Sequence, residues 1–178
     1  NNLPGGRVFM STVTGNLNKL LNEKYRINNI IVSDENYQIH LNHPALDSAG
    51  LNKSDIIDRI INSLLTVPGI DRAFALNDLN KIPLPSTIKN MLSNGYYPRR
   101  NGDIQFILKP NYIDAWNNTG TTHGLWNPYD SHIPLIWYGW GIRKGKTNRD
   151  TYMTDIAPTI GALLHVQMPN GNVGQVIT

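Results

Sequence analysis

The chain has 178 residues, 40% of them hydrophobic, with no cysteine and a formal net charge of +3. Without thiols, disulfides and thiolate metal sites are excluded, and no apolar run approaches the roughly 18 residues of a membrane-spanning helix. The length suffices to bury a sizeable core, and the basic residues are scattered apart from Arg99 and Arg100, unlike the dense cationic stripe of a nucleic-acid binder.

The chain opens on Asn1 and the turn-rich "NNLPGG", with no apolar stretch of the signal-peptide kind. An expression boundary, a processed end or a start inside a longer gene is the expectation. "GNLNKLLNEKYR" predicts a helix with Leu17, Leu20 and Leu21 on one face and Asn16 as its cap. "INNIIV" and "YQIHLN" then predict two strands joined by a turn at "SDEN", with Tyr37, Ile39 and Leu41 on one face.

"SDIIDRIINSLLTVPG" predicts the clearest helix: Ile56, Ile57, Ile60, Ile61, Leu64 and Leu65 make the stripe, Ser54 caps it, and Pro68 and Gly69 stop it. The strand "DRAFAL" follows, and then a helix from Ser86, carrying Ile88, Met91 and Leu92 and closed by Gly95. In "GDIQFILKP", Ile104, Phe106 and Leu108 alternate with Gln105 and Lys109, which predicts a strand with one polar face.

Beyond residue 118 the character changes. A Gly/Thr-rich loop leads into the apolar run 133–138, "IPLIWY", which predicts a buried strand. The last helix, "TDIAPTIGALLH", has Thr154 or Asp155 as cap, Pro158 in its first turn, and a stripe of Ile156, Ile160, Leu163 and Leu164. Strands alternating with helices imply a layered α/β protein.

Five histidines are the candidates for metal chemistry. His40 and His43, three apart in "HLNH", diverge on a strand or turn and suit a polar surface. His165 ends the last helix, where a cation meets the negative dipole end. His123 differs, because Gly120 and Gly124 let the backbone turn sharply around it, just ahead of an apolar strand. Metal binding and plain hydrogen bonding both remain open for it. Asp130 and His132 in "YDSH" could support such a site or serve it as further ligands. As simple alternatives, Asp130 caps the turn after Pro128 and His132 merely precedes the strand. No phosphate loop of the P-loop or Rossmann kind is present, and no Ser or Thr carries the cue of an activated nucleophile.

The stretches "GDIQFILKPNYI", "GTTHGLWNPYDSHIPLIWYGWGI" and "MTDIAPTIGALLHVQMPNG" occur in an order that resembles the C-terminal part of bacterial alkaline phosphatases of the phosphate-irrepressible, monoesterase type. The resemblance covers at least residues 95–178, with weaker similarity further back. That branch is in turn similar to the nucleotide pyrophosphatase/phosphodiesterases.

The resemblance implies a C-terminal fragment of an α/β fold. Residues 1–118 would form a small α+β subdomain of hairpin, helices and strands, and 119–178 a strand and helix of the catalytic core. It implies two zinc ions about 4 Å apart that clamp a phosphoryl group, and a Thr or Ser nucleophile that forms a covalent phospho-enzyme. It makes His123 a ligand of one zinc, with Asp130 and His132 as supports. It also places the nucleophile and the other ligands upstream of the matched region, so no catalytic nucleophile is expected within this chain and turnover by the chain alone is not expected.

The parent would be a periplasmic or secreted hydrolase of phosphate esters, with no membrane span. A type I phosphodiesterase, a more distant sulfatase or a non-catalytic interaction module are the alternatives. Cut off from a larger sheet, the run 133–138 would leave an edge through which the chain associates with itself.

Overall fold

A computed structural model describes residues 5–178, which divide into two compact units, one ending at Ser131 and the other running from His132 to Thr178. The first unit is built on a four-stranded antiparallel sheet in the order β2–β3–β5–β4, from β2 (Ile31–Ser33), β3 (Gln38–Leu41), β4 (Ile70–Ala75) and β5 (Ile104–Leu108). A separate parallel pair joins β1 (Gly6–Val8) to β6 (Tyr112–Asp114).

Helix α1 (Met10–Tyr25) buries Met10, Thr14, Leu17 and Leu21, a repeat of three and four residues that keeps one face against the core. It begins well before the expected cap at Asn16, because Met10, Val13 and Thr14 extend the stripe backwards. The Met10 N–H, one of the donors a helix start leaves unpaired, donates to Asp114 Oδ1 at 3.2 Å. Leu20, expected on the buried face, is 59% exposed.

The hairpin β2–β3 forms as expected, with a 3₁₀ turn at Glu35–Tyr37 between the strands. The short α2 (His43–Ser48), like β1 and β6, had no clear sequence signal. It separates His40 on β3 from His43 at its own start, and His43 Nε2 lies 2.9 Å from Asp103 Oδ1.

Helix α3 (Lys53–Leu64) is capped by Asn52, whose side chain accepts from the Ser54 N–H at 3.0 Å; the cap falls two residues before the expected Ser54. Ile56, Ile60 and Leu64 are buried, while Leu65 lies past the helix end and is exposed. Helix α4 (Ser86–Gly95) matches its predicted span, with Ile88 and Leu92 packed inwards and Met91 exposed.

Strand β5 departs from its predicted alternation, since all five residues are buried and Gln105 is 1% exposed. Ile104, Phe106 and Leu108 join the main core with α1 and α3 residues, while Ile107 packs with Phe74, Leu79, Ile88 and Leu92 on the other side. Two covered faces leave Gln105 no water, so its Nε2 donates to the carbonyls of Tyr37 and Phe106 at 2.8 and 3.1 Å.

In the second unit a 3₁₀ turn at Met153–Asp155 runs into α6 (Ile156–Leu163), followed by an irregular tail. Here the expected apolar stripe does not mark the buried side. Asp155, Pro158, Thr159 and Gly161 are buried, whereas Ile160 and Leu164 are exposed. The tail explains the inversion, because it is fastened to the helix start by polar bonds. Asp155 accepts the N–H groups of Gln175 at 2.8 Å and Tyr152 at 3.0 Å, and Thr159 Oγ1 accepts the Ile177 N–H at 2.9 Å. A Cβ at Gly174 would stand 2.0 Å from the Thr154 carbonyl oxygen, so only glycine lets the tail pass there.

The run 133–138 is neither a strand nor buried in this chain, contrary to the sequence expectation. The physical reason is plain: a strand needs a neighbour for its N–H and C=O groups, and the second unit holds no strand at all.

Candidate metal-ligand loop

The loop ahead of Ser131 is built upward from the sheet. Tyr37 meets Phe106 of β5 edge-on, ring centres 5.7 Å apart, and Trp126 of the loop packs against Tyr37 in a tilted arrangement at 5.9 Å. Leu125 beside it enters the main core. A short helix α5 (Pro128–Ser131) closes the loop, its Asp130 and Ser131 N–H groups donating to the Asn127 carbonyl at 2.8 and 2.9 Å.

Two further ties fix the base. Asp130 Oδ2 accepts the Leu125 N–H at 2.6 Å, and the Arg7 guanidinium donates to the Gly120 carbonyl. Between these anchors Gly120 and Gly124 adopt φ values of +84° and +106°, a region that a side chain at Cβ disfavours. The histidine they flank, His123, is exposed.

The electrostatics beneath the loop are acidic. Burial raises the Tyr37 phenol above its ordinary value, and the carboxylates of Asp114 and Asp130 raise it further. Burial likewise raises the Asp114 carboxyl, with Asp34 and Glu35 adding repulsion and the Met10 N–H opposing it.

Asp130 thus serves the loop backbone, five residues from the atom it holds. His132 is exposed and opens the second unit. Arg7 carries no sequence signal for its role, since it lies 113 residues from Gly120 and is brought near through the β1–β6 pair. Tyr37 is legible as a member of the face it shares with Ile39 and Leu41, but its contact with Trp126, 89 positions along the chain, is not.

A zinc site takes three or four nitrogen or oxygen ligands in tetrahedral reach. Among the described residues no group of three His, Asp or Glu side chains is placed to hold a metal ion. The residues present therefore do not fit a zinc site by themselves.

In fold and sequence the chain corresponds to a C-terminal part of the bacterial alkaline phosphatases, and it spans about a third of the length of the relatives it matches. It is 39% identical over 170 residues to alkaline phosphatase PafA of Elizabethkingia meningoseptica, covering 96% of this chain and 31% of that protein. Over 179 residues it is 40% identical to alkaline phosphatase PhoV of Synechococcus elongatus, covering 100% of this chain and 32% of that one. A Myroides odoratus protein named calcium-transporting ATPase is 39% identical over 162 residues, covering 90% and 30%. The crystal structure of wild-type PafA superposes with a TM-score of 0.90 at 38% identity, covering 98% of this chain and 33% of that chain. No protein-family model matches the chain.

Proposed function

We propose that this chain is the part of a zinc-dependent phosphate-ester hydrolase that presents one imidazole, His123, to a metal pair whose other ligands lie outside it. The observation that carries this reading is the loop itself. It has two positive-φ glycines, a base tied by Arg7 and Asp130, and an exposed histidine, in a chain close to 40% identical to two alkaline phosphatases.

In this reading Asp130 is a positioning residue that acts through the Leu125 N–H, and His132 stands outside the ligand set. The nucleophile is supplied by the remainder of the parent protein. Residues 119–178 belong to its catalytic part and the preceding residues to a subdomain. An exported parent, periplasmic or secreted, follows from the family resemblance.

The names of two relatives favour phosphatase activity, and the resemblance to the monoesterase branch makes monoesters the first substrates to try. The name of the Myroides protein favours ATP as a substrate; calcium transport would rest on that name alone, and among the described residues no helix is long and apolar enough to cross a membrane. The test uses a single chain joining roughly the first two-thirds of PafA to this chain. It should hydrolyse a chromogenic phosphate monoester faster than the corresponding diester or ATP, in a chelator-sensitive way. His123→Ala should lower kcat/KM by more than about 100-fold. The chain alone should show no turnover. Chelator-sensitive hydrolysis by the chain alone, or a joined enzyme indifferent to His123→Ala, overturns the reading.

A further inference from the structure

Two sequence features take no part in the His123 loop: the adjacent Arg99 and Arg100, and the histidines of "HLNH". The fold brings one member of each together. His40 and Gln38 lie on one side of β3, opposite the side that Ile39 turns to the main core. Past the end of α4 the chain turns at residues 97–101 and comes up against β3. A cleft of about 670 Å³ opens there, lined from the hairpin by Asn36, Gln38 and His40 and from the turn by Tyr97, Arg100 and Asn101. That volume falls within the range of small-molecule sites, roughly 300–1,000 Å³.

The two sides of the cleft are tied to each other. Gln38 Oε1 accepts the Gly102 N–H at 2.8 Å and an amide hydrogen of Asn101 at 3.3 Å. The Tyr97 carbonyl accepts the N–H groups of Arg100 at 2.9 Å and Asn101 at 3.1 Å, and Asn101 Oδ1 accepts the Tyr97 N–H. This closed turn presents Arg100, whose guanidinium carbon lies 5.9 Å from the centre of the Tyr97 ring.

The charge of the cleft is one-sided. Among the described residues the side chains of Arg100 and His40 have no hydrogen-bond or ion-pair partner. The carboxylates near β3 are engaged elsewhere. Asp103 accepts the Leu41 N–H at 2.9 Å and lies 2.9 Å from His43, and Asp34 accepts the Thr14 hydroxyl at 2.8 Å. Glu35, next to Asn36 in the chain, does not line the cleft. A guanidinium and an imidazole without a carboxylate select an anion, and the planar fork of an arginine matches phosphate oxygens. The Tyr97 ring, 53% exposed, adds a surface on which a flat ring can rest.

We propose that this cleft binds a small aromatic phosphate of the nucleoside monophosphate kind, with the phosphate on Arg100 and His40 and the base against Tyr97. The site uses no residue of the His123 loop and does not rest on the function proposed above.

The test titrates the 178-residue chain with AMP, adenosine and inorganic phosphate, followed by calorimetry and by amide chemical shifts. AMP should bind with a Kd of about 0.1–1 mM, and the shifts should concentrate at residues 36–40 and 97–101. Arg100→Met should weaken AMP by at least about 10-fold and His40→Ala by about 5-fold. Tyr97→Ser should bring AMP down to the affinity of inorganic phosphate. Arg100 and Tyr97 are exposed, so these variants should keep the unfolding midpoint of the unaltered chain. Arg59→Gln, which removes an exposed cation of α3, should leave AMP binding unchanged.

Adenosine binding as tightly as AMP would show that no anion is read, and phosphate binding as tightly would show that the ring has no part. Arg59→Gln weakening AMP as much as Arg100→Met would reduce the effect to the net positive charge of the chain. Each of these overturns the proposal, as does a titration that fails to saturate by about 10 mM. No turnover is measured, so the fate of the hydrolase reading leaves this result untouched.

Discussion

Two apolar runs, "IQFIL" at 104–108 and "IPLIWY" at 133–138, look alike in composition and end in opposite states. The first is β5, buried at every residue between β3 and β4 with side chains packed above and below. The second forms no strand and is largely exposed. Hydrophobicity thus proposes a strand, but pairing and cover decide whether one forms. The same contrast separates the two units. The first rests on apolar clusters packed on both faces of its sheet, whereas in the second the tail N–H groups of Gln175 and Ile177 donate to the side chains of Asp155 and Thr159.

The largest expected effect tests that contrast at single residues. Phe106→Ala removes a fully buried ring and should destabilise the first unit by about 3–5 kcal/mol in denaturant unfolding. Tyr138→Ser, on the fully exposed ring of the other run, should stay within about 0.5 kcal/mol. Comparable losses from both would mean that the second run is covered in solution after all.

A smaller effect is expected at the tail. Thr159→Val takes the acceptor from the Ile177 N–H and should loosen residues 175–177 by about 1–2 kcal/mol. Limited proteolysis should then trim the tail sooner, with the unfolding of the first unit unchanged. A tail equally resistant in this variant would show that other contacts hold it.

The smallest effect is a difference in sign with pH. Asp155 has its carboxyl lowered by the Gln175 and Tyr152 N–H groups, so tail attachment should be complete above the ordinary carboxylate range and weaken as pH falls through it. Asp114 has its carboxyl raised by burial, so the first unit should lose stability as pH rises through that range. Asp114→Asn should flatten the second slope and Asp155→Asn the first, read by unfolding and by tail proteolysis between about pH 3 and 6. Slopes of the same sign in both regions would contradict the geometry.

Much of the first unit was legible in the sequence. The hairpin, the helix with Ile56, Ile60 and Leu64, the strand at 70–75, the helix from Ser86 to Gly95 and the strand at 104–108 all announce themselves by period and by stop signals. These are local signals, because apolar spacing and turn residues act within a few positions. The boundary of α1 was missed because its first donor is satisfied by Asp114, 104 residues away, and no local cap marks it. Gln105 was misplaced because alternation predicts a face but not what lies on it.

The sequence by itself determined the four long helices apart from the start of the first, where the sheet strands of the first unit run, and that His123 sits in a loop free to turn at glycines. The tertiary structure alone decided that Arg7 and Asp130 brace that loop, that Tyr37 and Trp126 support it from below, and that residues 133–138 form no strand. Each of these depends on partners distant in the chain or, for the last run, on the lack of a strand neighbour among the described residues. A residue's neighbours in space, unlike its period along the chain, are set only when the whole sheet assembles.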